Sequence, residues 1–251
     1  MSDSETELGD IVEDRLLGGR LILRQPKKGH RAGTDAILLA AALSEDEVGP
    51  LADFGAGVGT VGLAAAMLRP ELTVTLIERH PGLAALAERN IVLNGLGARV
   101  RIVAADVGGS GEAGLAPAGF GCVAMNPPFF ADDTVRASPV GNRRTAHVAD
   151  QPLEAWLKAA RRLLRPRGRV AIIHRSEALG VILNGLETGF GGVAIRPVHA
   201  SADRPAIRVI VTATLNSKKP AELLPAFVLN GPDGRFTDVS EAIHRGRALL
   251  S

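Results

Sequence analysis

From residue 51 onward, short apolar runs alternate with longer Ala- and Leu-rich stretches of helical period. Residues 51–54, 73–77, 99–103, 121–125 and 169–173 are the apolar or β-branched runs, the pattern of strands buried on both faces. Residues 60–68, 81–93 and 153–164 between them predict helices. The first stops before Pro70; the second has Pro81 in its first turn and closes at Asn94-Gly95. A helix over 177–186 and strands over 193–198 and 207–215 complete the series. Such alternation predicts an α/β domain with a mainly parallel sheet and helices on both faces. Upstream, 16–23 predicts a short strand or hairpin turning at Gly18-Gly19, 26–29 a turn, and 35–43 a helix. Residues 108–119 predict a loop. Residues 131–151 follow no period and read as a substrate lid. Beyond 218, Gly231-Pro232-Asp233-Gly234 predicts a short hairpin, followed by a helix. Trp156, at helical spacing from Leu153, Leu157 and Ala160, reads as core.

Composition narrows the picture. The 251 residues are 46% hydrophobic, 3% aromatic and without Tyr, enough for one domain whose core is Ala, Val, Leu and Ile. The net charge of +2 says little about partners, but its distribution says more. Six acids and no base precede residue 15, predicting a disordered acidic tail over 1–14 and a single domain over 15–251, with 215–251 as a C-terminal hairpin and helix appendage. From 136 to 169, nine bases face two acids. This stretch fits either a phosphate backbone or a solvated helix face. The single cysteine, Cys122, excludes an internal disulfide and reads as a packed strand residue. An acidic start and the absence of a long apolar run predict a soluble, cytoplasmic protein with no membrane partner. The oligomeric state is not readable, and no metal site is expected.

In a doubly wound sheet, ligands bind beyond the carboxyl ends of the strands. The first strand runs into Asp53-Phe54-Gly55-Ala56-Gly57-Val58-Gly59, where Gly55, Gly57 and Gly59 let a ligand approach bare backbone. The second ends at Glu78, whose carboxylate suits ribose hydroxyls, and the third is followed by Asp106, placed for an adenine edge. The loop also satisfies the dinucleotide fingerprint, so taken alone it fits NAD as well as S-adenosylmethionine. Asp53 favours the latter, because a carboxylate there would repel a pyrophosphate and suit a cationic cofactor. The fourth strand ends in Asn126-Pro127-Pro128-Phe129. Two prolines make a stiff corner presenting acceptors, the Asn126 side-chain oxygen and the Pro127 carbonyl. Together these would hold an NH2 group with its lone pair turned toward a methyl donor, and Phe129 would stack a base.

These segments resemble motifs I to IV of the amino-group methyltransferases. Leu16-Leu17-Gly18-Gly19-Arg20, Gln25-Pro26, the block from Arg31 to Ala40 and Asn90-Ile91-Val92-Leu93-Asn94-Gly95 resemble the bacterial valine-tRNA adenine N6-methyltransferase family more closely. His30 and Phe129 stand where that family more often has Tyr. The resemblance implies a class I, Rossmann-like, seven-stranded methyltransferase fold, S-adenosylmethionine as cofactor, and an adenine amine in RNA, most often tRNA, as acceptor. It also implies that 15–49 covers the cofactor, with Asp35 helping to close its pocket. Arg143 and Arg144 are candidate phosphate contacts or solvent-exposed arginines. His147 is a candidate base or a surface histidine, and His80 lies near the cofactor or elsewhere. Rival readings are a protein glutamine methyltransferase or one acting on ribosomal RNA or DNA, an NAD-dependent oxidoreductase, and a non-catalytic RNA-binding protein.

Overall fold

The computed structural model describes residues 8–28, 33–43, 49–107, 115–128 and 152–250. Strands β1 (Ile11–Leu16) and β2 (Leu21–Pro26) form an antiparallel hairpin, turning through Leu17–Gly19. The expected tail over 1–14 overlaps β1, which opens at Ile11, and residues 1–7 lie outside the described residues. The six residues of β1 alternate between exposed and half-buried, so the strand is too polar to stand out in the sequence. Helix α1 (Thr34–Ala42) follows, and then the alternating series begins.

That series runs β3 (Leu51–Phe54), α2 (Thr60–Leu68), β4 (Val74–Glu78), α3 (Pro81–Leu93), β5 (Val100–Ala104) and β6 (Phe120–Met125). It continues with α4 (Leu153–Leu163), β7 (Leu164–Arg175), α5 (Leu179–Leu186), β8 (Phe190–His199) and β9 (Ala206–Leu215). The sheet order from β5 inward is β5-β4-β3-β6-β7-β9-β8, with β9 antiparallel to both neighbours and the others parallel. These are the seven expected strands. The C-terminal segment adds β10 (Glu222–Leu223) and β11 (Phe227–Val228), both parallel to β8, before α6 (Asp238–His244). The hairpin expected at Gly231-Pro232-Asp233-Gly234 is a single antiparallel bridge, Asn230 to Phe236.

β3 and β4 are buried at every position, as strands covered on both faces must be. Their side chains alternate between two cores. Leu51, Val74 and Leu76 pack with α1, α2, α3 and the β1–β2 hairpin; Ala52, Phe54 and Ile77 pack with α4 and α5. Cys122 is a buried strand residue. No described helix is long and apolar enough to cross a membrane.

Candidate functional site

The chain leaves β3 in one direction to build β4 and β5, then returns to place β6 on the other side of β3. A sheet that reverses its order opens a crevice at the carboxyl end of the strands where it does so. Register fixes which residues meet there. Phe54 lies opposite Ile77 of β4 and Met125 of β6, and Glu78 lies opposite Ala104 of β5. Gly55, Glu78 and Asn126 therefore leave three adjacent strands at one level, with Asp106, exposed, two residues past Ala104.

The glycine loop turns through left-handed backbone, with φ of +62° at Gly55, +57° at Gly57 and +92° at Gly59. A side chain is disfavoured at each. Beside the Gly57 Cβ direction no heavy atom lies within 4 Å, so that face of the loop is open. The loop is pinned from below. Glu78 is buried, and its two oxygens accept hydrogen bonds from Gly57 N–H (2.8 Å) and His80 N–H (2.7 Å). Two bonds leave lone pairs on both oxygens for a further donor.

Asp53 does not face the cofactor side of the loop as expected. It is 1% exposed, and its Oδ2 accepts from Gly62 N–H (2.8 Å) in the first turn of α2. Residues alternate along a strand, and Phe54 already points to the other core, so Asp53 points under the helix. Burial raises its pKa from 3.8 to about 7; the Gly62 hydrogen bond opposes this and the Glu78 charge adds to it. Its dry surroundings thus hold the Asp53 carboxyl toward its neutral form.

Asn126 closes the site on the β6 side. Its Oδ1 is buried and has no hydrogen-bond partner among the described residues. A buried carbonyl oxygen without a partner costs about 1–3 kcal/mol, which a fold tolerates where a ligand supplies the donor. Pro127 behind it is buried and Pro128 exposed. Trp156, read as core, is only half-buried. It meets Phe54 edge-on at 6.4 Å, and a Cβ on Gly55 would lie 2.4 Å from its Cη2. Its helical spacing showed a buried face but not that the glycine loop lies against it.

Asp35 stands in the first turn of α1, where its Oδ2 accepts from Arg208 Nε of β9 at 2.8 Å. His80 is the N-cap of α3, its Nδ1 accepting from Leu83 N–H (3.3 Å). Sequence reasoning passed over Arg208 and His174. The latter is buried near the end of β7, two residues past Ile172, the partner of Met125. Burial, with Arg175 beside it, lowers the His174 pKa. Its one sequence signal is a histidine closing an otherwise apolar run. Phe129, Arg143, Arg144 and His147 lie outside the described residues, as does most of the basic stretch before 152.

Comparison with known proteins identifies the family. The model of the methyltransferase small domain family matches residues 31–196. A tRNA1(Val) (adenine(37)-N6)-methyltransferase of Porphyromonas gingivalis is 32% identical over 148 residues, covering 57% of this chain and 58% of that protein's own length. The enzyme of the same name from Erwinia tasmaniensis is 27% identical over 211 residues, 82% of this chain and 83% of the relative. Among solved structures, a predicted O-methyltransferase from Agrobacterium tumefaciens superposes with a TM-score of 0.73 at 27% identity, covering 86% of this chain and 98% of that one. With its class I methyltransferase fold, the chain belongs to the methyltransferase small domain family.

Proposed function

We propose that this protein methylates the exocyclic N6 amine of an adenine in RNA, with tRNA as the substrate and S-adenosylmethionine as the methyl donor. The observation that carries the reading is the buried Oδ1 of Asn126, without a hydrogen-bond partner among the described residues, at the crevice between β3 and β6. The names of the Porphyromonas and Erwinia relatives support adenine N6 and tRNA over the other amine acceptors.

The site residues fit the cofactor. Gly57 offers open backbone, Glu78 keeps lone pairs for hydroxyl donors, and Asp106 stands exposed beyond the next strand. The buried Glu78 carboxylate below the loop suits a cationic cofactor and disfavours the pyrophosphate of NAD. When bound, S-adenosylmethionine supplies an electrophilic methyl group on a positively charged sulfur. The protein's part is to present the nucleophile. An adenine amine is a poor one because its lone pair is delocalised into the ring. Asn126 Oδ1, accepting one amine N–H, weakens that delocalisation and fixes the direction of the lone pair. The Pro127 carbonyl is the second acceptor, and Pro127-Pro128 holds both rigidly. A methylated aromatic amine loses its proton readily to water, so no protein base is required.

The test is transfer of label from S-adenosylmethionine to unmodified total tRNA, followed by nucleoside analysis. Label in N6-methyladenosine is expected. Label in another nucleoside, or only in protein glutamine, overturns the acceptor assignment.

A further inference from the structure

The segment Asn90-Ile91-Val92-Leu93-Asn94-Gly95 has no part in the chemistry above, yet Asn90 is completely buried. Asn90 in the last turn of α3 and Asn94 at its C-cap lie four apart and so face the same side. That side meets the free edge of β2. Asn94 Oδ1 accepts from Ile22 N–H (2.9 Å), and its Nδ2 donates to Ile22 C=O (2.7 Å). Asn90 repeats the pattern two residues along, with Oδ1 accepting from Arg24 N–H (2.9 Å) and Nδ2 donating to Arg24 C=O (2.9 Å). Two side-chain amides thus act as the missing neighbour of an edge strand and satisfy backbone groups that burial would otherwise leave unpaired.

The two asparagines differ in one respect. Asn90 Nδ2 also donates to Val58 C=O (3.0 Å), between Gly57 and Gly59 of the glycine loop. The spare Asn94 N–H instead returns to Asn90 C=O on its own helix. Gly57 is already held through its N–H by Glu78, so Asn90 supplies the hold on the next residue, through its carbonyl.

We propose that Asn90 is a positioning residue for the cofactor loop, fixing the Val58 peptide and coupling it to the β1–β2 hairpin, whereas Asn94 serves the hairpin alone. This rests on the reading of the loop as the S-adenosylmethionine site. Loop glycines have no side chains with which to fix their own backbone. A loop released at Val58 must be reordered each time the ligand binds, so the loss falls on affinity.

The experiment compares Asn90→Ala with Asn94→Ala in the full chain, measuring thermal stability and S-adenosylmethionine affinity by calorimetry without acceptor. Both variants should lose stability. Asn90→Ala should also bind the cofactor about 5- to 100-fold more weakly, the range expected for losing a hydrogen bond to a buried group. Asn94→Ala should stay within about twofold of wild type, the margin that separates a bystander from that range. In turnover, Asn90→Ala should raise KM for S-adenosylmethionine and leave kcat at saturation and KM for RNA unchanged. If Asn90→Ala does not fold, Asn90→Ser is compared on the same readouts. Equal effects of the two positions on affinity, or none at either, overturn the proposal and leave the functional reading standing. A wild-type protein that does not bind S-adenosylmethionine overturns both.

Discussion

The raised pKa of Asp53 makes stability depend on pH in a direction opposite to that of a carboxylate whose pKa an ion pair lowers. In the fold its pKa stands at about 7 against 3.8 for the free side chain. Between those values the folded protein keeps a proton that the unfolded chain has released, so stability falls as pH rises. The whole shift is worth about 4 kcal/mol, and roughly half of it is lost between about pH 5 and about pH 7.5. Against a total of about 5–15 kcal/mol for a domain, that loss is measurable. Asp53→Asn keeps an acceptor for Gly62 N–H and cannot ionise. Its own stability should lack this loss, although its buried NH2 costs about 1–3 kcal/mol if nothing accepts from it. The assay is urea unfolding of both proteins across that range without cofactor, read as the difference between them. His174, with its pKa lowered, titrates in the opposite sense: its contribution grows as pH rises through the window between its folded and unfolded values. It is common to both proteins and cancels in the difference. The Asp53→Asn variant should gain on wild type as pH rises. A difference independent of pH would refute the buried, proton-holding Asp53.

Gly55→Ala and Gly57→Ala share left-handed backbone but not surroundings. The first drives a Cβ to 2.4 Å from the Trp156 ring and the second meets nothing within 4 Å. Gly55→Ala should cost about 3 kcal/mol or more, and Gly57→Ala about 1–2 kcal/mol, by denaturant unfolding. Gly57→Ala should nonetheless weaken cofactor binding at least about tenfold, since it fills the open face; unchanged affinity would place the cofactor elsewhere. Asn126→Ala removes an acceptor that no described protein group uses, so stability should hold and cofactor affinity stay within a few-fold, while single-turnover methylation falls about 100-fold or more. A normal rate would sink the proposed role. A double-mutant cycle on Asp35→Ala and Arg208→Ala should show a coupling of about 1 kcal/mol in stability; additive losses would make their 2.8 Å pair incidental.

What the sequence revealed follows from how locally each feature is encoded. Strands β3, β4 and β6 are apolar because both faces are covered, and that burial is written into consecutive residues. The loop glycines and Asn126 follow the carboxyl ends of strands, the place where a doubly wound sheet holds a ligand, so position along the chain marks them as candidates. β1 was missed because its polar alternation resembles a tail, and only pairing with β2 shows it as a strand. The direction of Asp53 was missed because its bond to Gly62 depends on which face the strand turns under α2. Asp35 and Arg208 lie 173 residues apart, and no local pattern connects them.

The same contrast explains why the site keeps buried polar side chains that burial alone would penalise. A loop that must offer bare backbone to a ligand cannot be held by side chains of its own. Here the restraints come from the elements around it: Asp53 of β3 on Gly62, Glu78 of β4 on Gly57, and Asn90 of α3 on Val58. Each is satisfied inside the protein, so each has a structural reason to be there before any ligand arrives. Loss of cofactor affinity on replacing one of them therefore does not by itself show contact with the cofactor. Contact and positioning separate when the substitution keeps the internal bond and changes only the outward face. By that criterion Asn126, whose Oδ1 has no partner among the described residues, is the site residue at which a loss on substitution is read as contact.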